Sequence, residues 1–309
     1  MARRTAWVMF VLALAGGAHA ATLEEAPAEC KAQVAAAKRA VTGAFAAGGR
    51  AVAAGEKGSI EAALEGYAPG RFHPVEEGAL PPRRPGGRCQ AGSVNVLDRF
   101  CVDKWEGSLV ERRPDGTEAP ASPYHPPEDG HVYVAQTRPG VVPQAYISAR
   151  QAQEACKNAG KRLCGAAEWR VACSGKKGAA YPYGKARQEG ACHDTGTSPM
   201  LTYHAETMKR GWGRVELNDP RNNQLEGTVA KTGAFPLCVT EEGAFDMVGN
   251  LHEWSADPNG TFQGGYWLDT SQHGEGCSYR TIAHPADYHD YSTGFRCCAD
   301  LEAASGEAR

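Results

Sequence analysis

The chain has 309 residues with 33 Lys and Arg against 36 Asp and Glu, a formal net charge of −3, and 42% hydrophobic residues. That balance, without any run of lysines or arginines, excludes nucleic acid as an expected partner. Eleven cysteines, in contrast, point to an oxidising compartment and a disulfide framework.

Residues 1–20 carry Arg3 and Arg4, a short apolar run from Ala6 to Ala15, and a small-residue end at Ala18-His-Ala20. This is the pattern of a secretory signal cut near Ala20. The apolar run is too short to span a bilayer, and no later stretch is long enough, so no transmembrane segment is expected. The expected location is exported, either periplasmic or secreted. Cleavage would leave about 289 residues and, with two arginines removed, a charge of −5.

Residues 21–68 are rich in Ala, Glu, Gly and Lys, which favours loosely docked helices without a strong apolar stripe. Prolines and glycines then cluster over 69–87, as in a linker. From 88 to 300 the composition turns to Gly, Trp, Tyr and Cys, the signature of one domain with short elements, followed by a tail expected to be disordered over 301–309. Cys89 and Cys101 bracket Ser93-Val-Asn-Val-Leu97 and lead into Phe100-Cys-Val-Asp-Lys-Trp105, two strand-like pieces that a disulfide could staple as a hairpin. Residues 111–144 hold many prolines and no period, and read as a long ordered loop. A Ser-x-x-Gln capping box at Ser148 and Gln151 opens a helix that stops at Gly160. A second, short helix follows, with Trp169 and Ala172 on one face. Beyond it, turns separate pieces rarely longer than six residues.

The cysteines contain no C-x2-C pair, so disulfides are favoured over zinc. Their number is odd, and Cys30, alone in the N-terminal segment, is the expected leftover thiol. In Gly243-Ala-Phe-Asp-Met-Val-Gly-Asn-Leu-His-Glu-Trp254, two acids flank a tight glycine, a spacing able to surround a hard cation with oxygens. The residues equally allow Asp246 to cap a turn and Glu253 to pair with a base. Trp254 and Trp267 read as core anchors. Asn259-Gly-Thr261 fits a glycosylation sequon or a simple turn.

Five segments together carry a family resemblance. They are Cys156-Lys-Asn-Ala-Gly-Lys-Arg-Leu-Cys-Gly-Ala-Ala-Glu-Trp169, Tyr181-Pro-Tyr-Gly184, Gly227-Thr-Val-Ala-Lys-Thr-Gly-Ala-Phe-Pro236 leading to Asp246 through Trp254, Gly264-Gly-Tyr-Trp267 and Gly294-Phe-Arg-Cys297. In that order they resemble the formylglycine-generating enzyme, or sulfatase-modifying factor, family. The third looks like the family's Asp-Met-x-Gly-Asn-Val-Trp-Glu-Trp motif. The resemblance implies an α+β, C-type-lectin-like domain with little regular structure, many disulfides and bound calcium. It implies calcium ligands at Asp246 and Glu253 by side chain and at Gly249 and Leu251 by carbonyl, with a second site using Asn223 and the Leu225 carbonyl. It also implies a Cys156–Cys297 disulfide and a Cys173–Cys277 disulfide. Cys164 with Cys298, Cys192 with Cys238 and Cys89 with Cys101 are then expected by exclusion.

The chain departs from the family at one telling place. The first copper-binding thiol of the family falls on Asp269, and soft Cu(I) needs paired sulfur ligands. The expectation is therefore a calcium-stabilised binding or accessory module without formylglycine-generating activity, whose ligand is a protein or peptide. The alternative is an oxidoreductase using another transition metal in a cleft formed by Asp269, His273, Cys277, His284, His289 and Arg296. Each of these histidines also reads as an ordinary surface or hydrogen-bonded side chain.

Overall fold

The computed structural model describes residues 80–211 and 213–303, all within the unit Ala68–Arg309. The leader, the Ala-rich segment with Cys30, the linker up to residue 79 and the tail from 304 lie outside the described residues.

The hairpin between Cys89 and Cys101 forms as expected. Strand β1 (Ser93–Val96) pairs antiparallel with β2 (Phe100–Asp103), and a Cys89–Cys101 disulfide ties the incoming chain to it. The turn places Leu97 and Asp98 at φ of 54° and 57°, and the Asn95 side chain accepts the Asp98 N–H at 2.9 Å. An Asx contact of this kind stabilises a turn that bulky residues otherwise disfavour.

Residues 111–144 differ from expectation, for they contain strands. β3 (Gly107–Arg112) is the centre of an antiparallel sheet with β4 (Glu118–Pro120) on one side and β5 (Val132–Thr137) on the other. The prolines that suggested a loop sit between these strands, after β5 or at the end of β4, an edge strand where a missing N–H is tolerated.

Helix α1 (Ala149–Asn158) begins with the full capping box: Gln151 N–H donates to Ser148 Oγ at 3.3 Å, and Ser148 N–H to Gln151 Oε1 at 3.1 Å. It buries Ala152, Ala155 and Cys156, and the chain turns out through Gly160 at φ 71°. After β6 (Arg162–Leu163), helix α2 (Ala166–Ser174) buries Trp169, Ala172 and Cys173 on one face. The single-turn helices α3 (Pro199–Tyr203), α4 (Ala205–Met208) and α5 (Arg214–Leu217) follow. Next come β7 (His252–Trp254), β8 (Phe262–Gln263), β9 (Arg280–Thr281), β10 (Thr293–Phe295) and β11 (Cys297–Asp300). One sheet has the order β1-β2-β11-β6, and another the order β10-β7-β8-β9, with β10 parallel to β7. No helix among the described residues is long and apolar enough to cross a membrane.

The domain is wider than 88–300. Residues near the two ends of the described domain pair through an Arg88 to Glu302 bridge, and Leu301 is buried against Gly87. Arg99 Nη1 also donates to the Pro81 carbonyl at 2.9 Å. The end of the linker and the first residues of the tail therefore belong to the fold.

All ten described cysteines are paired: Cys89–Cys101, Cys156–Cys297, Cys164–Cys298, Cys173–Cys277 and Cys192–Cys238. Adjacent Cys297 and Cys298 fasten the start of β11 to α1 and to the end of β6, closing 141 and 134 residues. Chain entropy makes the long loop matter more. Replacing Cys156 and Cys297 by serine is expected to cost about 5 kcal/mol, against about 3 kcal/mol for the Cys89 and Cys101 pair. Urea titrations of the two double variants check the order, and equal midpoints would contradict it.

Candidate functional site

The segment 246–254 is wound by three left-handed residues, Asp246, Gly249 and Asn250, at φ of 58°, 79° and 56°. Glycine is required at 249, since a Cβ there would lie 2.2 Å from the His193 carbonyl oxygen. The winding brings Asp246 and Glu253 into one buried region with Glu106, from between β2 and β3, and Arg296, from between β10 and β11.

Glu253 is held tightly. Arg296 donates from Nε to Oε2 and from Nη2 to Oε1, each at 2.6 Å, and Trp169 Nε1 donates to Oε2 at 2.6 Å. The rest of the guanidinium reaches the carbonyls of Asp103 and Phe245, at 2.9 and 2.8 Å. Asp246 Oδ2 accepts the Gly233 N–H at 2.7 Å. Thus Asp246 caps a turn and Glu253 pairs with a base, the roles the residues allowed without a metal. Arg296, grouped by sequence with the candidate cleft, is instead a core residue, because Glu253 offers the carboxylate that a buried guanidinium requires.

Charge in this region is unbalanced, with three carboxylates facing one guanidinium. Burial, then the Asp246 and Glu253 charges, hold the Glu106 carboxyl well above its usual range. Burial likewise pushes Asp246 up to about 6. A hard cation suits such a donor set, and Oε1 of Glu253 keeps an acceptor site beyond its bond to Arg296. Among the described residues no three His, Cys, Asp or Glu side chains converge as a metal cage. A cation would therefore rely on the Gly249 and Leu251 carbonyls beside Asp246 and Glu253.

At the second expected site, buried Asn223 donates from Nδ2 to the Tyr291 carbonyl at 2.7 Å, while its Oδ1 has no partner. That orphaned oxygen suits a cation. The Leu225 carbonyl is already used by Thr228, from N–H at 3.2 Å and Oγ1 at 2.6 Å.

The candidate cleft residues do not assemble as one centre. Asp269 Oδ1 accepts the N–H groups of Ser271 and Gln272 at 2.9 Å, and Oδ2 accepts Tyr279 OH at 2.9 Å, so this acid caps a turn. Cys277 is bound to Cys173. His289 Nδ1 is engaged by Asn218 Oδ1 at 2.7 Å. His284 stacks on Phe262 at 4.3 Å between ring centroids, and exposed His273 meets the edge of Tyr279 at 5.7 Å. Aromatic rings hold these imidazoles in place, and that packing competes with convergence on a shared metal.

Sequence reasoning overlooked His252. Its ring lies among Phe262, Tyr266 and Tyr279, with centroids at 4.6, 4.9 and 5.5 Å, and its buried Nδ1 has no partner. Burial, then the nearby His284 and His273, push it down to about 3, so it is neutral at physiological pH. A signal was present, since the family motif has Trp where this chain has His252. The two departures meet at Tyr279, which stacks on His252 and donates to Asp269.

Residues 90–301 match the family model described as the sulfatase-modifying factor enzyme 1-like domain. No curated protein matches the chain. Among solved structures, the Major Tropism Determinant I1 variant is 14% identical with a TM-score of 0.41, over 70% of this chain and 54% of that one. A structure titled CarF is 18% identical with a TM-score of 0.28, over 63% and 58%. The chain thus spans little more than half the length of these structures. With the family model matching most of the sequence, the chain belongs to the sulfatase-modifying factor enzyme 1-like domain family, and its described residues form a mixed α+β fold of short elements.

Proposed function

We propose that the protein is an exported, calcium-stabilised binding or accessory domain that does not generate formylglycine. The observation that carries this reading is the state of the sulfur chemistry. Asp269 stands where the family's first thiol falls, and every described cysteine, Cys277 included, is in a disulfide. Paired thiolates for Cu(I) are therefore missing from the described residues. Half-buried Asp269 and exposed His273, both against Tyr279, offer an acceptor and an imidazole to a protein or peptide ligand. The disulfide framework and the leader-like residues 1–20 support export.

The test uses the full chain produced in an oxidising compartment. Supplied with Cu(I) and a cysteine-containing sulfatase peptide, it is expected to leave the peptide mass unchanged and to bind no stoichiometric copper. Conversion of the peptide cysteine would end this reading. Calcium is expected to raise the melting temperature and a chelator to reverse the rise, as any ligand of the native state does.

A further inference from the structure

We infer that Glu106, which no motif of the sequence singled out, is a positioning residue for the cation loop and supplies its third negative charge. The inference rests on the calcium reading above.

Glu106 lies between β2 and β3, is fully buried, and its two carboxylate bonds both come from the loop. Asn250 Nδ2 donates to Oε2 at 2.6 Å, and Leu251 N–H donates to Oε1 at 3.2 Å. Asn250 is held from its other side, where its Oδ1 accepts the Ala230 N–H at 2.8 Å. The left-handed backbone at Asn250 is thus pinned between two distant segments.

Each peptide of this stretch has a fixed direction. The Asn250 N–H donates to the His193 carbonyl at 2.9 Å, and the His252 N–H to the Ser292 carbonyl at 2.8 Å. The peptides are trans, so the Gly249 and Leu251 carbonyls point away from those acceptors. Between them, the Asn250–Leu251 peptide is held by Glu106 on its N–H and by the Trp267 N–H on its carbonyl, the latter at 3.2 Å. Removing the Glu106 contact frees the central peptide of three, and with it the relative placement of two carbonyl donors. A glutamine cannot repeat both contacts, because its amide would set a donor against either Asn250 Nδ2 or Leu251 N–H.

The charge has its own consequence. With all three carboxyls ionised, Glu106, Asp246 and Glu253 outnumber Arg296 by two, and a divalent cation matches that excess while a monovalent one does not. Without the cation, an ionised Glu106 is a cost to the fold, since Arg296 is committed to Glu253 and the buried Glu106 carboxylate has bonds only from Asn250 and Leu251.

Calcium titration by calorimetry and melting temperatures with and without calcium, on wild type, Glu106→Gln and Glu106→Asp, test the inference. Calcium affinity is expected to fall at least tenfold in Glu106→Gln and less in Glu106→Asp, which keeps the charge. The calcium-free melting temperature of Glu106→Gln is expected to be no lower than that of wild type, which a purely structural role would not give. If wild type binds no calcium, the calcium reading itself fails and the inference with it. If wild type binds calcium and Glu106→Gln binds equally well, or loses stability without calcium, the inference alone is overturned. Should Glu106→Gln not fold, unchanged affinity in Glu106→Asp overturns the inference and weakened affinity supports it.

Discussion

Arg296→Met is expected to destabilise the domain by about 3–5 kcal/mol, the usual cost of leaving one member of a buried ion pair without its partner. The guanidinium and Glu253 are both almost completely excluded from solvent and share two contacts at 2.6 Å. Methionine fills much of the stem volume but leaves Glu253 with only the Trp169 indole N–H. The carbonyls of Asp103 and Phe245 lose their donor as well. The double variant Arg296→Met, Glu253→Gln is expected to recover a substantial part of the loss, because the uncompensated charge is gone. Urea denaturation in calcium-free buffer measures both. A single-variant loss under about 1 kcal/mol, or a double variant worse than the single, would show that the pair does not hold the core in this way.

Acidification supplies the second large effect, through His252. The folded group titrates at about 3, against an ordinary value of 6.5. Below pH 6.5 the unfolded chain therefore binds one proton more than the folded chain, and stability falls by about 1.4 kcal/mol per pH unit, or about 3 kcal/mol by pH 4. His252→Phe places an apolar ring among Phe262, Tyr266 and Tyr279 and removes this term. The stability difference between variant and wild type should grow by about 3 kcal/mol in favour of the variant from pH 7 to pH 4. Asp246 acts with the opposite sign: its folded value of about 6 lies above the ordinary 3.8, so it stabilises the fold as pH falls through 6. Both proteins share that term, which is why the comparison isolates His252. A pH-independent difference would remove the histidine from this role.

Legibility in the sequence followed the range of the interactions. The capping box at Ser148 and Gln151 and the hairpin at Cys89 and Cys101 were readable because each depends on residues close in the chain. The sheet formed by β3, β4 and β5 was not. Its strands are set apart by proline-containing connections, and the pairing of Val110 with Val134 is made between residues that share no local period. Glu106 was hidden for a related reason: its meaning comes from Asn250 and Leu251, far along the chain.

By itself, the sequence determined the family, the short-element α+β domain, the disulfide partners implied by or left over from the family pattern, and the absence of a thiol at Asp269. These are properties of residue identity and order. Only the tertiary structure decided that Arg296 serves Glu253 rather than a cleft, that Asp269 caps its own turn, and that His289 is engaged by Asn218. It also decided that three acids share one buried base. Burial and hydrogen-bond direction depend on which distant segments pack together, and a buried charge takes its chemistry from those neighbours rather than from its place in a motif.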